Sequence, residues 1–131
     1  VLQIGLVAFG SALGGLARWG VTVACGRVLG TALPWGTLAV NLAGCLFLGW
    51  FTTVLAERLP TTGIGWLRPE DLRLMIAVGF TGAFTTFSTF EYEAHGLLRD
   101  GDGLNGTAYI LGSVFLGLLA VRFGTLLARG S

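Results

Sequence analysis

Gly79 to Phe90 reads GFTGAFTTFSTF, and the reading of this stretch decides the fold. It carries five hydroxyls (Thr81, Thr85, Thr86, Ser88, Thr89), two glycines, four phenylalanines and no charge. The segment around it starts near Leu72 and stays apolar or hydroxylated up to Glu91. A bilayer core of about 30 Å takes about 20 helical residues, so the stretch lies at membrane depth. Hydroxyls in hydrocarbon are costly unless they face a partner or a cavity. Glycine and threonine also weaken helix continuity. We therefore expect a break around residues 82–85, with carbonyls left free at the end of the first half-helix. Such carbonyls favour a cation where protein shields them from lipid.

The surrounding chain supports a membrane setting. Of 131 residues, 53% are hydrophobic and only 11% charged, against about one-quarter charged in an average soluble domain. A water-facing surface is hard to build from that supply. Four spans are expected in a single domain, at about 2–28, 35–56, 72–98 (with the break near 82–85) and 107–128. The fold class is thus an all-α membrane protein of four transmembrane helices with a break in the third. Gly30 to Pro34 reads as a tight turn, with Pro34 placed to open the second helix. Residues 57–71 read as a loop by their prolines and glycines, and DGDGLNG (100–106) as a turn. The N-terminal apolar stretch outruns a signal-peptide core and has no basic start.

Glycine fills 22 positions. Small residues let membrane helices approach closely, and Gly10/Gly14 and Gly26/Gly30 have GxxxG spacing. Four short helices cannot enclose a wide pore, so either several copies assemble or the chain is an accessory subunit. Four arginines (58, 68, 73, 129) fall on the side of both termini and two (27, 99) on the other. That bias is weak under the positive-inside rule, and insertion in both orientations would permit an antiparallel dimer.

Candidate site residues sit in the spans. Phe80, Phe84, Phe87 and Phe90 share a face if their segment is helical. They are either packing residues or a lining whose positive ring edges hold an anion without formal charge. Asn41 offers amide donors with Thr37 one turn earlier; an interhelical hydrogen bond is the equal alternative. Tyr109 and Ser113 are spaced i, i+4. Arg18 either snorkels to water or pairs with a carboxylate, for which Glu93 is a candidate. Glu91, Glu93 and His95 lack further ligands for a metal and read as a solvated helix end. Cys25 and Cys45 are isolated fillers. With one histidine and no nucleophile–base set, an enzyme is not expected. A net charge of +1 gives no field for nucleic acid.

GGLARW in the first span, WGTLAVNLAG in the second, GFTGAFTTFSTF in the third, and Tyr109 with Ser113 together resemble the Fluc/CrcB fluoride channels along essentially the whole chain. The resemblance implies a dual-topology homodimer of antiparallel protomers with two fluoride pores in the cell inner (plasma) membrane. It implies Phe87 and Phe90 as the pore phenylalanines and Asn41 as a pore donor, with Thr37, Ser88, Tyr109 and Ser113 along a polar track. It further implies Arg18 and Glu93 at the vestibule. Gly82 and Thr85 would give backbone carbonyls to a structural sodium ion at the dimer interface. One departure is Ala83, where the family usually repeats glycine. No Walker motif appears, so transport should run downhill. The competing class is a proton-coupled small multidrug exporter, but its carboxylate in the first span is missing: the first acidic residue is Glu57. A membrane scaffold would leave the hydroxyl-rich segment without a purpose.

Overall fold

A computed structural model describes residues 1–130. Every named element among the described residues is a helix: α1 (Leu2–Leu29), α2 (Trp35–Glu57), α3 (Pro69–Leu72), a π-helical stretch (Arg73–Thr81), α4 (Gly82–Phe84), α5 (Phe87–Arg99) and α6 (Gly103–Gly130). Among the described residues the nearest thing to a sheet is one isolated bridge, Ile64 to Leu67. Three helices, α1, α2 and α6, are each long and apolar enough to cross a membrane. At 1.5 Å per residue, the 28-residue α1 and α6 each run about 42 Å. Large apolar side chains such as Phe9, Trp19, Phe115 and Leu118 stand exposed along them, as lipid-facing positions would. This is a multi-pass membrane protein.

The boundaries follow local chemistry. Gly30 closes α1 at φ 80°, a left-handed value that glycine adopts without a Cβ penalty. Its role is that of a cap, and a Cβ on Gly26 would meet only Thr31 Cγ2 at 3.9 Å, so this GxxxG pair does not mediate close helix packing. Gly10 and Gly14 do: a Cβ on either would strike backbone atoms of Met75 or Phe80 in the π-helical stretch. Gly49 and Gly124 do the same between α2 and α6. Asp102 caps α6, accepting from Asn105 N at 3.4 Å, so the helix begins at Gly103 and the turn is shorter than expected. Within α3, Asp71 is buried and accepts from the guanidinium and backbone N–H of the N-cap residue Arg68 at 3.3 and 3.1 Å. Those bonds hold its carboxyl below the usual carboxylate range.

The third apolar segment is not one helix. Its first part is π-helical over nine residues, a rare form that is frequent at functional sites. The Thr81 hydroxyl donates to the Ile76 carbonyl five residues back, at 3.0 Å. Gly82 itself is regular αR (φ −61°, ψ −37°). The extended residues are Thr85 (φ −86°, ψ 161°) and Thr86 (φ −152°, ψ 118°). Threonine is β-branched and tolerates extended backbone, and the Thr86 hydroxyl caps α5 by accepting from Thr89 N at 3.3 Å. The buried face of α5, Phe90 and Ala94, packs with Tyr109 of α6, and Leu38, Leu97 and Ile110 close around them.

Candidate functional site

The interruption at Thr85 and Thr86 exposes peptide groups that a continuous helix would have used. Asn41 on α2 takes up one peptide pair: its Oδ1 accepts from Thr86 N at 2.8 Å and its Nδ2 donates to Thr86 O at 3.1 Å. This pairing mimics a sheet ladder and fixes the amide's orientation. Nδ2 carries two hydrogens, so one donor remains. Of the two open readings of Asn41, the interhelical bond is therefore present, and it does not use up the side chain. Gly44, one turn on, makes the approach possible, since a Cβ there would strike Thr85 Cγ2.

The hydroxyls of this segment are largely self-satisfied. Thr81 and Thr85 donate back to the carbonyls of Ile76 and Thr81, and Thr86 serves the α5 cap. Of the two options, a partner or a cavity, these three hydroxyls take a local partner, which threonine in a helix readily adopts, while Thr81, Thr85 and Thr86 also border the groove described below. Ser88 is exposed and outside the groove described below. The phenylalanines form two pairs rather than one stripe, because the interruption divides their helix. Phe80 stacks on Phe84 at 5.7 Å, and Phe87 tilts against Phe90 at 6.0 Å.

Six of the sequence-derived site residues (Asn41, Thr85, Phe87, Phe90, Tyr109 and Ser113) converge along one face. Asn41, Phe87, Phe90 and Ser113 line a groove of about 300 Å³ together with Cys45, Thr85 and Thr86. Ser113 also lines an adjoining cavity of about 200 Å³, which contains Tyr109. Neither lining includes a charged residue. The Ser113 hydroxyl is buried with no hydrogen-bond partner, a costly state unless something else meets it. Phe90 turns a T-shaped contact to the Tyr109 ring at 5.1 Å. Phe87, 74% exposed in the single chain, leaves its ring open on that side.

The two vestibule residues separate. Glu93 accepts from the Thr37 hydroxyl at 2.8 Å and the Tyr109 hydroxyl at 3.0 Å, and with Thr37 it lines a third cavity of about 370 Å³. Arg18 is not its partner. The Arg18 Nη1 donates instead to the Thr85 carbonyl at 3.4 Å, and no carboxylate pairs with Arg18 among the described residues. Glu91 and His95 are exposed. Sequence reasoning missed the Glu93 bridge, although the i, i+3 spacing of Phe90 and Glu93 on one helix face was a usable signal. It also missed Cys45 and Gly44, whose four- and three-residue offsets from Asn41 place them on the same face.

Neutral oxygens at the interruption suit a hard monovalent cation, as unwound carbonyls do in membrane sites. The Thr86 N–H that would serve the Gly82 carbonyl goes to Asn41 instead. The Thr89 N–H that would serve the Thr85 carbonyl goes to the Thr86 hydroxyl. Both carbonyls thus lack their helical donors.

These features define a small helical membrane protein with an uncharged, hydroxyl- and phenyl-lined groove beside an interrupted segment. Residues 5–125 match the family model described as CrcB-like protein, Camphor Resistance (CrcB). The chain belongs to the CrcB family. It is 42% identical to "Fluoride-specific ion channel FluC" of Chloroflexus aurantiacus, over 94% of this chain and 92% of that one. It is 44% identical to the protein of that name from Solibacter usitatus, over 95% and 96%. To that of Rhizobium johnstonii it is 40% identical, over 98% of each.

Proposed function

We propose that this protein is a passive fluoride channel in the inner (plasma) membrane that works as an antiparallel dual-topology homodimer with two pores. The third apolar segment is then the third of four spans, interrupted at Thr85 and Thr86. The observation that carries the reading is the uncharged groove where Asn41, Phe87, Phe90 and Ser113 meet. The name the relatives carry, fluoride-specific ion channel, gives the ion.

Fluoride is small and strongly hydrated, so a path must replace its water stepwise. The free Asn41 N–H, the unpartnered Ser113 hydroxyl and the positive edges of Phe87 and Phe90 are neutral donors suited to that exchange. Neutral donors hold the ion loosely enough for it to leave, which conduction requires. Thr37, Tyr109 and Glu93 continue the polar line toward the vestibule, and Ser88 joins only if a second copy covers it. Arg18 stands near the vestibule of the dimer. A chain of this type carries out no covalent chemistry.

Gly82 and Thr85 would hold a structural sodium ion through their carbonyls. Two oxygens from one chain would leave the ion's shell incomplete, and a second copy would contribute the same pair. When bound, the ion would supply positive charge to offset the negative end of the first half-helix. Dimer retention in detergent is expected to fall when N-methylglucamine replaces sodium; a sodium-indifferent dimer would remove this site.

The deciding experiment is ion efflux from liposomes holding the purified protein. Fluoride should leave rapidly while chloride stays. Equal leakage of both, or retention of both, overturns the proposal. Phe87→Ile and Phe90→Ile should each lower fluoride flux about tenfold with the dimer intact, since an aliphatic side chain has no ring edge; the loss of about 0.5–1.5 kcal/mol of ring contact matches that scale. Unchanged flux in both variants would take the rings out of the path.

A further inference from the structure

Arg18 stands out among the basic residues because it sits inside a 28-residue apolar helix and, with no carboxylate partner among the described residues, reaches the backbone of another segment. Its Nη1 reaches the Thr85 carbonyl, and Thr85 is one of the two residues offered above for sodium. The carbonyl lies where the first half-helix ends, at the negative pole of its dipole. Guanidinium on hydrocarbon is costly without a partner, so the contact serves both groups in an isolated chain.

We propose that Arg18 is an internal counter-cation that occupies the Thr85 carbonyl in the single chain and yields it when sodium binds between two copies. The inference rests on the sodium-site reading. Two cations on one carbonyl repel, and low dielectric strengthens that repulsion. Sodium entry therefore drives the guanidinium off, toward the aqueous vestibule that a long arginine side chain can reach. Arg18 thereby sets how much sodium is needed to assemble the dimer. It protects the bare carbonyl of an unassembled chain, and by the same contact it opposes premature ion capture.

The test uses the full chain in detergent, with sodium chloride titrated against N-methylglucamine chloride and dimer fraction read by light scattering after gel filtration. Arg18→Gln keeps a hydrogen-bond donor and removes the charge. It should reach half-assembly at about tenfold less sodium than the parent, within the 5–150-fold range usual for coupled sites. Equal midpoints for a sodium-dependent parent and this variant overturn the role of Arg18 while leaving the site standing. A parent that is indifferent to sodium sinks the site and the role together. Should Arg18→Gln fail to assemble, Arg18→Lys decides the matter. All eight basic residues of this chain are arginine, so the ammonium introduced there gives a unique ¹⁵N signal under lysine labelling. That signal should shift as sodium fills the site, and a signal unmoved across a titration that forms the dimer overturns the proposal.

Discussion

Asn41→Asp will lower fluoride flux by at least about a hundredfold while leaving the helical content of the protein intact. The wild-type amide accepts from Thr86 N at 2.8 Å and donates to Thr86 O at 3.1 Å. A carboxylate keeps the first bond and turns the second into a contact between two acceptors, stranding the Thr86 carbonyl at about 1–3 kcal/mol. It also places a full negative charge on the groove. At about 4 Å and an effective dielectric of about 20, that repels a passing anion by about 4 kcal/mol, or roughly a thousandfold in occupancy. Protonating the carboxyl removes the charge, so part of the flux should return as the pH falls through its titration. Liposome efflux at two pH values measures both effects. Wild-type flux at neutral pH would place Asn41 off the ion path.

Gly14→Ala and Gly15→Ala should have effects of opposite sign. In a helix interior the change from glycine to alanine is worth about 1 kcal/mol in favour of alanine. At Gly15 a Cβ meets nothing within 4 Å, so that variant should hold or gain thermal stability. At Gly14 the Cβ strikes the Phe80 carbonyl, a backbone atom that cannot rotate aside. Overpacking costs about 1–3 kcal/mol, and here the π-helical stretch must shift with it. We expect Gly14→Ala to lower the yield of monodisperse dimer sharply and to melt several degrees below the parent. Equal melting of the two variants would mean that α1 and the third segment do not touch as described.

The sequence made the long helices legible because a hydrophobic stretch at bilayer length has few other uses. Gly10/Gly14 was read correctly as a contact face, but the same spacing at Gly26/Gly30 was not one. Spacing alone cannot tell a close approach from a helix cap, and Gly30 is a cap at φ 80°. The weak stretch Gly79–Phe90 was visible in its glycines and hydroxyls. Which peptides leave the helix was not, since that depends on Asn41, distant in sequence, and on the Thr86 cap. Extended backbone falls on Thr85 and Thr86, while Gly82 stays helical. The π-helical register was invisible because residues 74–80 are all apolar or glycine, so there is no polar face whose period could record the change. Phe87, Phe90, Asn41 and Ser113 were identifiable as a set only through the family resemblance; periodicity left each with an ordinary packing alternative. Arg18 and Glu93 were proposed as a possible pair, and the folded chain gives each a different partner, because carbonyls and hydroxyls compete well with a distant charge.

The double bond from Asn41 to Thr86 also bears on biosynthesis. The Thr86 N–H turns away from its helical acceptor and bonds to Asn41 Oδ1, and lipid supplies no substitute. The extended peptide becomes tolerable at membrane depth only once α2 lies alongside. Synthesis proceeds from the N-terminus, so α2 leaves the ribosome first and waits as a ready template when the weak segment follows. Reversing that order, as in a circular permutant that translates residues 69–130 ahead of α2, would strand the unpaired peptide in the bilayer.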